Sequence, residues 1–123
     1  HALEAVESHL FPVMMEDFAS FAGTCGEDVV VFESATVLEK PQFEGFGDKV
    51  MLVDAPLETR LERACRRDGA DRDKVLARMR SQKLMNDLSA GMHDPRVDLV
   101  IMNDGTFEDL VQRTKEGINS LIP

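Results

Sequence analysis

Three short apolar runs constrain this chain more than anything else in it: VVVFES at 29–34, KVMLVDA at 49–55 and DLVIMN at 98–103. None of them alternates with polar residues. A strand covered on one face alternates, whereas a strand covered on both reads as a continuous β-branched and apolar run, so each is expected to be a buried strand. Around them the apolar spacing becomes helical. Leu3, Val6, Leu10, Val13, Met14, Phe18 and Phe21 mark a helix over 3–22, with Pro12 as a break or the first turn of a second helix, and Gly23 and Gly26 ending it. Pro56 and Glu58 open a helix to Arg67, Asp68 and Gly69 turn it, and Asp71 caps another reaching Lys83. Asp104 and Gly105 then make a turn, Thr106 caps, and Phe107, Leu110, Val111, Ile118 and Leu121 line a last helix. Strands separated by helices imply parallel pairing through right-handed crossovers, with ligands beyond the carboxyl ends of the strands. The expectation is an α/β fold, one parallel sheet of three strands and a single domain over 1–123.

Charge narrows the partners. The net charge is -9, and a nucleic acid or an anionic membrane is bound by an extended basic surface, so neither is expected as a partner. No apolar run reaches the length of a membrane helix and no basic-then-apolar leader is present, which points to a cytoplasmic location. The basic residues are not spread evenly. Residues 58–83 hold nine of the fourteen Lys and Arg against five of the twenty-three acids. A compact anion such as a nucleoside triphosphate would account for this island, and a solvated helix face is the alternative. Cys25 and Cys65 form no CxxC pair, and His9 and His93 stand alone, so no metal site is expected.

Within the island, Arg60, Arg63 and Arg67 fall within about 60° of one another on a helix, beside an apolar stripe of Leu57, Leu61, Ala64 and Cys65. One edge packs while the next presents guanidinium groups. Planar, permanently charged forks converging on one side suit the oxygens of a triphosphate. Arg78 and Gln82 follow at i and i+4, also on one helical face. Two arginine-bearing helices after a buried strand have the form of a kinase lid, here spanning 57–96. Arg113, on the last helix and outside the island, is expected to be an exposed bystander.

The series VMLVDAP, ETRLERACRRDG, LARMRSQ and DLVIMNDG resembles the dephospho-coenzyme A kinase family, in the family's order and over residues 29–119. The resemblance implies a three-layer P-loop kinase sheet and transfer of the ATP γ-phosphate to the ribose 3′-hydroxyl of dephospho-CoA. It implies ATP with magnesium as co-substrate and a small-molecule nucleotide as partner. By the same resemblance Arg63 and Arg67 belong to the lid over the phosphates as catalytic groups, Arg78 and Gln82 to its second half, and Asn103, Asp104 and Gly105 to the turn that approaches adenine. VVVFESATVLE is similar to a family segment that places Glu33 and Glu39 toward substrate, although Glu33 stands where aspartate is usual and Ala35 where proline is. Read by itself, Glu33 either organises water, magnesium or hydroxyls or caps the following turn.

Several departures bear on activity. Phe11 and Glu16 occupy positions where the family has a histidine and a basic residue, and the stretch between Gln82 and Val100 is longer than the family's, so the lid's exit is expected to be rearranged. No G-x-x-x-x-G-K-[ST] occurs in the 123 residues. That loop supplies backbone N–H groups, a lysine and a magnesium-holding hydroxyl, and phosphoryl transfer is almost wholly positioning and electrostatics. The chain is therefore expected to be the C-terminal part of such a kinase and inactive alone. The alternatives are part of another nucleotide or nucleoside kinase and a non-catalytic, degenerate binding or interaction module. A missing central strand would leave unpaired edges, so self-association through 29–34 or 49–54, or direct pairing of those two strands, is expected.

Overall fold

The computed structural model describes residues 2–89 and 91–123 and divides into two compact units, His1–Gly47 and Asp48–Pro123. In the first unit, helix α1 runs from Ala2 to Thr24 with Pro12 inside it, so the expected break is absent. Proline in a helix interior costs about 3 kcal/mol or more through the lost N–H and a ring clash. Aromatic packing on both sides of Pro12 offsets that cost. Phe11 meets Phe43 at a centroid distance of 4.9 Å, and Phe18 meets Phe32 at 5.2 Å and Phe46 at 5.4 Å. Glu7, on the same side of α1, is buried and accepts from Lys40 Nζ at 2.9 Å.

The expected strand at 29–34 is not one. Val29–Ser34 carries no ladder, and its Phe32 serves instead as a hub that also touches Phe43 and Phe46. A strand exists only against a neighbouring strand, and this run finds side-chain partners in α1 and in the 3-10 turn Pro41–Phe43. A residue pattern that reads as buried strand is satisfied here by an aromatic cluster.

The second unit has the parallel α/β arrangement. Strand β1, Met51–Asp54, pairs in parallel with β2, Leu99–Met102, in the register Met51 with Leu99 through Asp54 with Met102. Among the described residues the sheet has these two strands rather than three, and β1 pairs with β2 alone. Between them lie α2, Leu57–Asp68, α3, Arg72–Arg80, and α4, Lys83–Ser89; α5, Phe107–Leu121, follows β2. Local signals act as expected. Pro56 precedes α2, Gly69 ends it at φ 59°, the Asp71 carboxylate caps α3 by accepting from Asp73 N, and Thr106 and Asp109 form a reciprocal capping box on α5. Leu61, Val75 and Met79 bury the seam between α2 and α3. α5 crosses β2 at Gly117, where a Cβ would lie 2.7 Å from the Leu99 side chain. Among the described residues no helix is long and apolar enough to cross a membrane.

Candidate functional site

Asp54 ends β1 and its buried carboxylate accepts from the amide of Ala55 at 2.7 Å, which fixes the entry into α2. Arg60, one turn along, donates from Nε to the Ala55 carbonyl at 2.9 Å and stands 3.9 Å from Asp54 Oδ1. Arg63, the next turn, donates from Nη1 to the Asn103 carbonyl at 2.9 Å. Arg67 donates twice to Asp68, from Nε at 2.7 Å and from Nη2 at 3.2 Å. The helical spacing of the three arginines holds, but they do not present one common open face. Each reaches a different acceptor of the protein, because a guanidinium is long enough to leave its neighbour's direction once a carbonyl or carboxylate lies within reach.

Asp68 is where α2 and α3 meet. Its Oδ2 accepts from Arg78 Nη2, on α3, at 3.1 Å, so one carboxylate gathers Arg67 and Arg78. The Arg67 bonds first and the Arg78 bond second hold the Asp68 carboxyl down at about 2, and Asp68 in turn raises Arg67. The Asp68 side chain is 28% exposed, whereas those of Arg67 and Arg78 are 74% and 61% exposed. Both cations therefore keep free N–H directions toward solvent.

Gln82 does not share a helical face with Arg78. Ser81 ends α3 by turning its amide and hydroxyl onto the Arg78 carbonyl, at 3.2 and 2.6 Å, and Gln82 lies in the junction before α4. Helix α4 follows that junction, and Gly91–Val97 return toward β2 through turns. Ala90, within the stretch 57–96 expected to form a lid, and His1 lie outside the described residues.

The turn Asn103–Gly105 sits at the carboxyl end of β2. The Asn103 amide continues the ladder onto the Asp54 carbonyl at 2.6 Å, its carbonyl takes Arg63, and a Cβ on Gly105 would meet Asp109 Oδ2 at 2.5 Å. Arg113 is no bystander. Its Nη1 donates to the Met102 carbonyl at 2.6 Å and to Asp104 Oδ1 at 2.7 Å, which lowers the Asp104 carboxyl and raises the arginine. Sequence reasoning missed it because α5 lies outside the basic island. The nine-residue spacing of Asp104 and Arg113 around a capped helix start was the one available signal. Glu33 and Glu39 belong to the first unit, where both are exposed; Glu39 closes a turn by donating its amide to the Thr36 carbonyl at 2.9 Å. Among the described residues no group of three His, Cys, Asp or Glu side chains is arranged to hold a metal ion.

A sequence model of the family described as dephospho-CoA kinase matches residues 1–109. The chain belongs to the dephospho-CoA kinase family. Curated dephospho-CoA kinases are similar to it. That of Porphyromonas gingivalis is 35% identical over 95 residues, covering 77% of this chain and 46% of the relative. That of Bacteroides fragilis is 41% identical over 81 residues, or 63% of this chain and 35% of the relative. That of Deinococcus radiodurans is 36% identical over 108 residues, or 88% and 49%. The chain thus spans half or less of the length of these dephospho-CoA kinases, and the matched region contains Arg63, Arg67, Arg78 and the Asn103–Gly105 turn.

Proposed function

We propose that these residues form the lid and the base-side turn of a dephospho-CoA kinase that uses ATP to phosphorylate the ribose 3′-hydroxyl of dephospho-CoA, the last step of coenzyme A synthesis, in the cytoplasm. The observation that carries this reading is the meeting of Arg67 and Arg78 at Asp68, two exposed cations delivered to one point by two different helices. A transferring phosphoryl group spreads its charge over several oxygens, and paired guanidinium forks bind such oxygens in bidentate fashion. Arg67 and Arg78 bear on the phosphates, and Arg63, bonded to the Asn103 carbonyl, ties the lid helix to the turn that receives adenine. Gln82 lies at the lid's exit, and Glu33 and Glu39 bear on the acceptor. Magnesium enters with the triphosphate. The phosphate-loop motif does not occur in the 123 residues, so its donors have to come from outside them and the residues alone do not turn over.

Titration calorimetry and product analysis with magnesium-ATP and dephospho-CoA test this, on the chain and on a polypeptide extended upstream through a phosphate loop. The extended form is expected to give 3′-phosphorylated product and the chain alone none. Arg67→Ala should weaken ATP binding about tenfold, against little change for Arg66→Ala, whose guanidinium donates to Glu62 on the exposed helix face. Turnover by the purified chain alone overturns the inactivity, and equal effects of the two substitutions remove the lid role. Phosphorylation of another nucleoside in preference to dephospho-CoA moves the site to a different kinase. Binding without turnover in the extended form makes it a non-catalytic module. Self-association through the open edge of β1 is part of the same reading, and light scattering that returns a monomer at all concentrations removes it.

A further inference from the structure

We propose that Arg113 is a positioning residue: by bridging the Met102 carbonyl and Asp104 it holds the Asn103–Gly105 turn in shape, and through that turn it sets the preference for adenine over other bases. The base-preference half rests on the function proposed above, and the positioning half does not. The turn is clamped from three elements. β1 takes the Asn103 amide through the Asp54 carbonyl, α2 takes the Asn103 carbonyl through Arg63, and α5 takes the Met102 carbonyl and the Asp104 carboxylate through Arg113. Of these, the Arg113 bridge alone engages a side chain of the turn. Both of its bonds come from one nitrogen, Nη1, at 2.6 and 2.7 Å. The two N–H bonds of a guanidinium nitrogen diverge in a plane at about 120°, so they fix the direction of the carboxylate relative to the strand-end carbonyl. A freely rotating ammonium keeps the charge without that angle.

The reason such a clamp bears on specificity is that a base is told from its analogues by hydrogen bonds of fixed direction. Donors and acceptors that wander accept either pattern, whereas a rigid turn leaves the wrong base with unpaired polar groups. The helix start that follows reinforces the geometry. Thr106 and Asp109 cap one another, the Thr106 amide donating to Asp109 Oδ2 at 3.0 Å and the Asp109 amide to Thr106 Oγ1 at 3.1 Å, so the turn ends on a fixed first turn of α5. Arg113 lies in the second turn of that helix, and its guanidinium reaches back past the cap to the strand end. It bears on the base-side turn rather than on the phosphates.

Two measurements test this on Arg113→Ala and Arg113→Lys. Backbone amide exchange over 103–106, read on this chain, is expected to rise several-fold in Arg113→Ala and less in Arg113→Lys, with β1 amides unchanged. Unchanged exchange over the turn overturns the positioning role, and exchange that rises equally in β1 and β2 makes Arg113 a general stabilising residue instead. Binding of ATP, GTP and inorganic tripolyphosphate is then compared in the upstream-extended polypeptide. The preference for ATP over GTP should narrow several-fold in Arg113→Ala, with tripolyphosphate affinity unchanged and Arg113→Lys between. A parallel loss for all three ligands makes Arg113 a plain attractive charge and sinks the base-preference claim. If the unsubstituted protein binds no nucleotide, the proposed function falls with the base preference, and the exchange result still decides the positioning role.

Discussion

The two compact units are held together by different means. Residues 1–47 have one long helix and no strand among the described residues, and their cohesion comes from phenylalanines 11, 18, 32, 43 and 46 with a half-buried ion pair beside them. Residues 48–123 have a parallel ladder closed by α5 and an α2–α3 seam of Leu61, Val75 and Met79. An aromatic cluster marks the first unit, and a parallel backbone ladder marks the second. The contrast teaches that an apolar run becomes a strand only where a second run can pair with it. VVVFES and KVMLVDA have the same character, yet only the latter finds a ladder partner.

The hardest blow to the aromatic unit should be Phe43→Ala. Phe43 is 3% exposed and touches Phe11, Phe32 and Phe46, so its loss is expected to cost about 3–5 kcal/mol, read from denaturant unfolding followed by the phenylalanine ring signals. A cost below about 1 kcal/mol would mean the cluster does not hold the unit together. Leu61→Ala is the counterpart in the second unit, expected to cost about 2–5 kcal/mol with the loss read as faster amide exchange in α2 and α3. Should β1 and β2 open to the same extent, the ladder and the α2–α3 seam form one cooperative unit rather than two.

Lys40→Met sharpens the comparison at smaller scale. It leaves the Glu7 carboxylate, whose side chain is 9% exposed, without the 2.9 Å partner and should cost about 1–3 kcal/mol. A neutral outcome would show that the ion pair adds nothing to the ring packing. The smallest effect is electrostatic and lies where α2 meets α3. Asp68, held at about 2 by Arg67 and then Arg78, has a folded value below the ordinary aspartate value of about 4. Its stabilising contribution is therefore full above pH about 4 and is lost as pH falls from there through about 2. In a carbon-13 carboxyl titration the midpoint should move up in Arg67→Ala, and by less in Arg78→Ala. Equal or absent movement would show that the three side chains do not form one cluster in solution.

Much of the second unit was legible in the sequence because its signals are local. Thr106 with Asp109, Asp71 with Asp73, and Gly69 after Asp68 each act within a few residues, so residue type and spacing suffice. The runs 51–54 and 99–102, each followed by a helix, likewise announced parallel strands. The candidate site was legible as an inventory of arginines and as a turn, but not as an arrangement. Helical spacing correctly grouped Arg60, Arg63 and Arg67 on α2, yet it carried no information about the Ala55 carbonyl, the Asn103 carbonyl or the Asp68 carboxylate that each one reaches.

The sequence by itself determined the helices α1, α2, α3 and α5, where most of them begin, and that a basic island interrupts an acidic chain, since caps, turns and charge are properties of neighbours; the end of α3 at Arg80 and the separate α4 were not legible in it. Only the tertiary structure decided that Val29–Ser34 is not a strand, that α1 runs through Pro12, that Asp68 collects two arginines, and that Arg113 belongs to the turn after β2. Strand pairing and guanidinium geometry depend on acceptors brought near by the fold, as when Arg63 meets Asn103 across forty residues of chain. A side chain four to six bonds long can reach several such acceptors, and which of them lies in range is fixed by the packing of α2, α3 and α5.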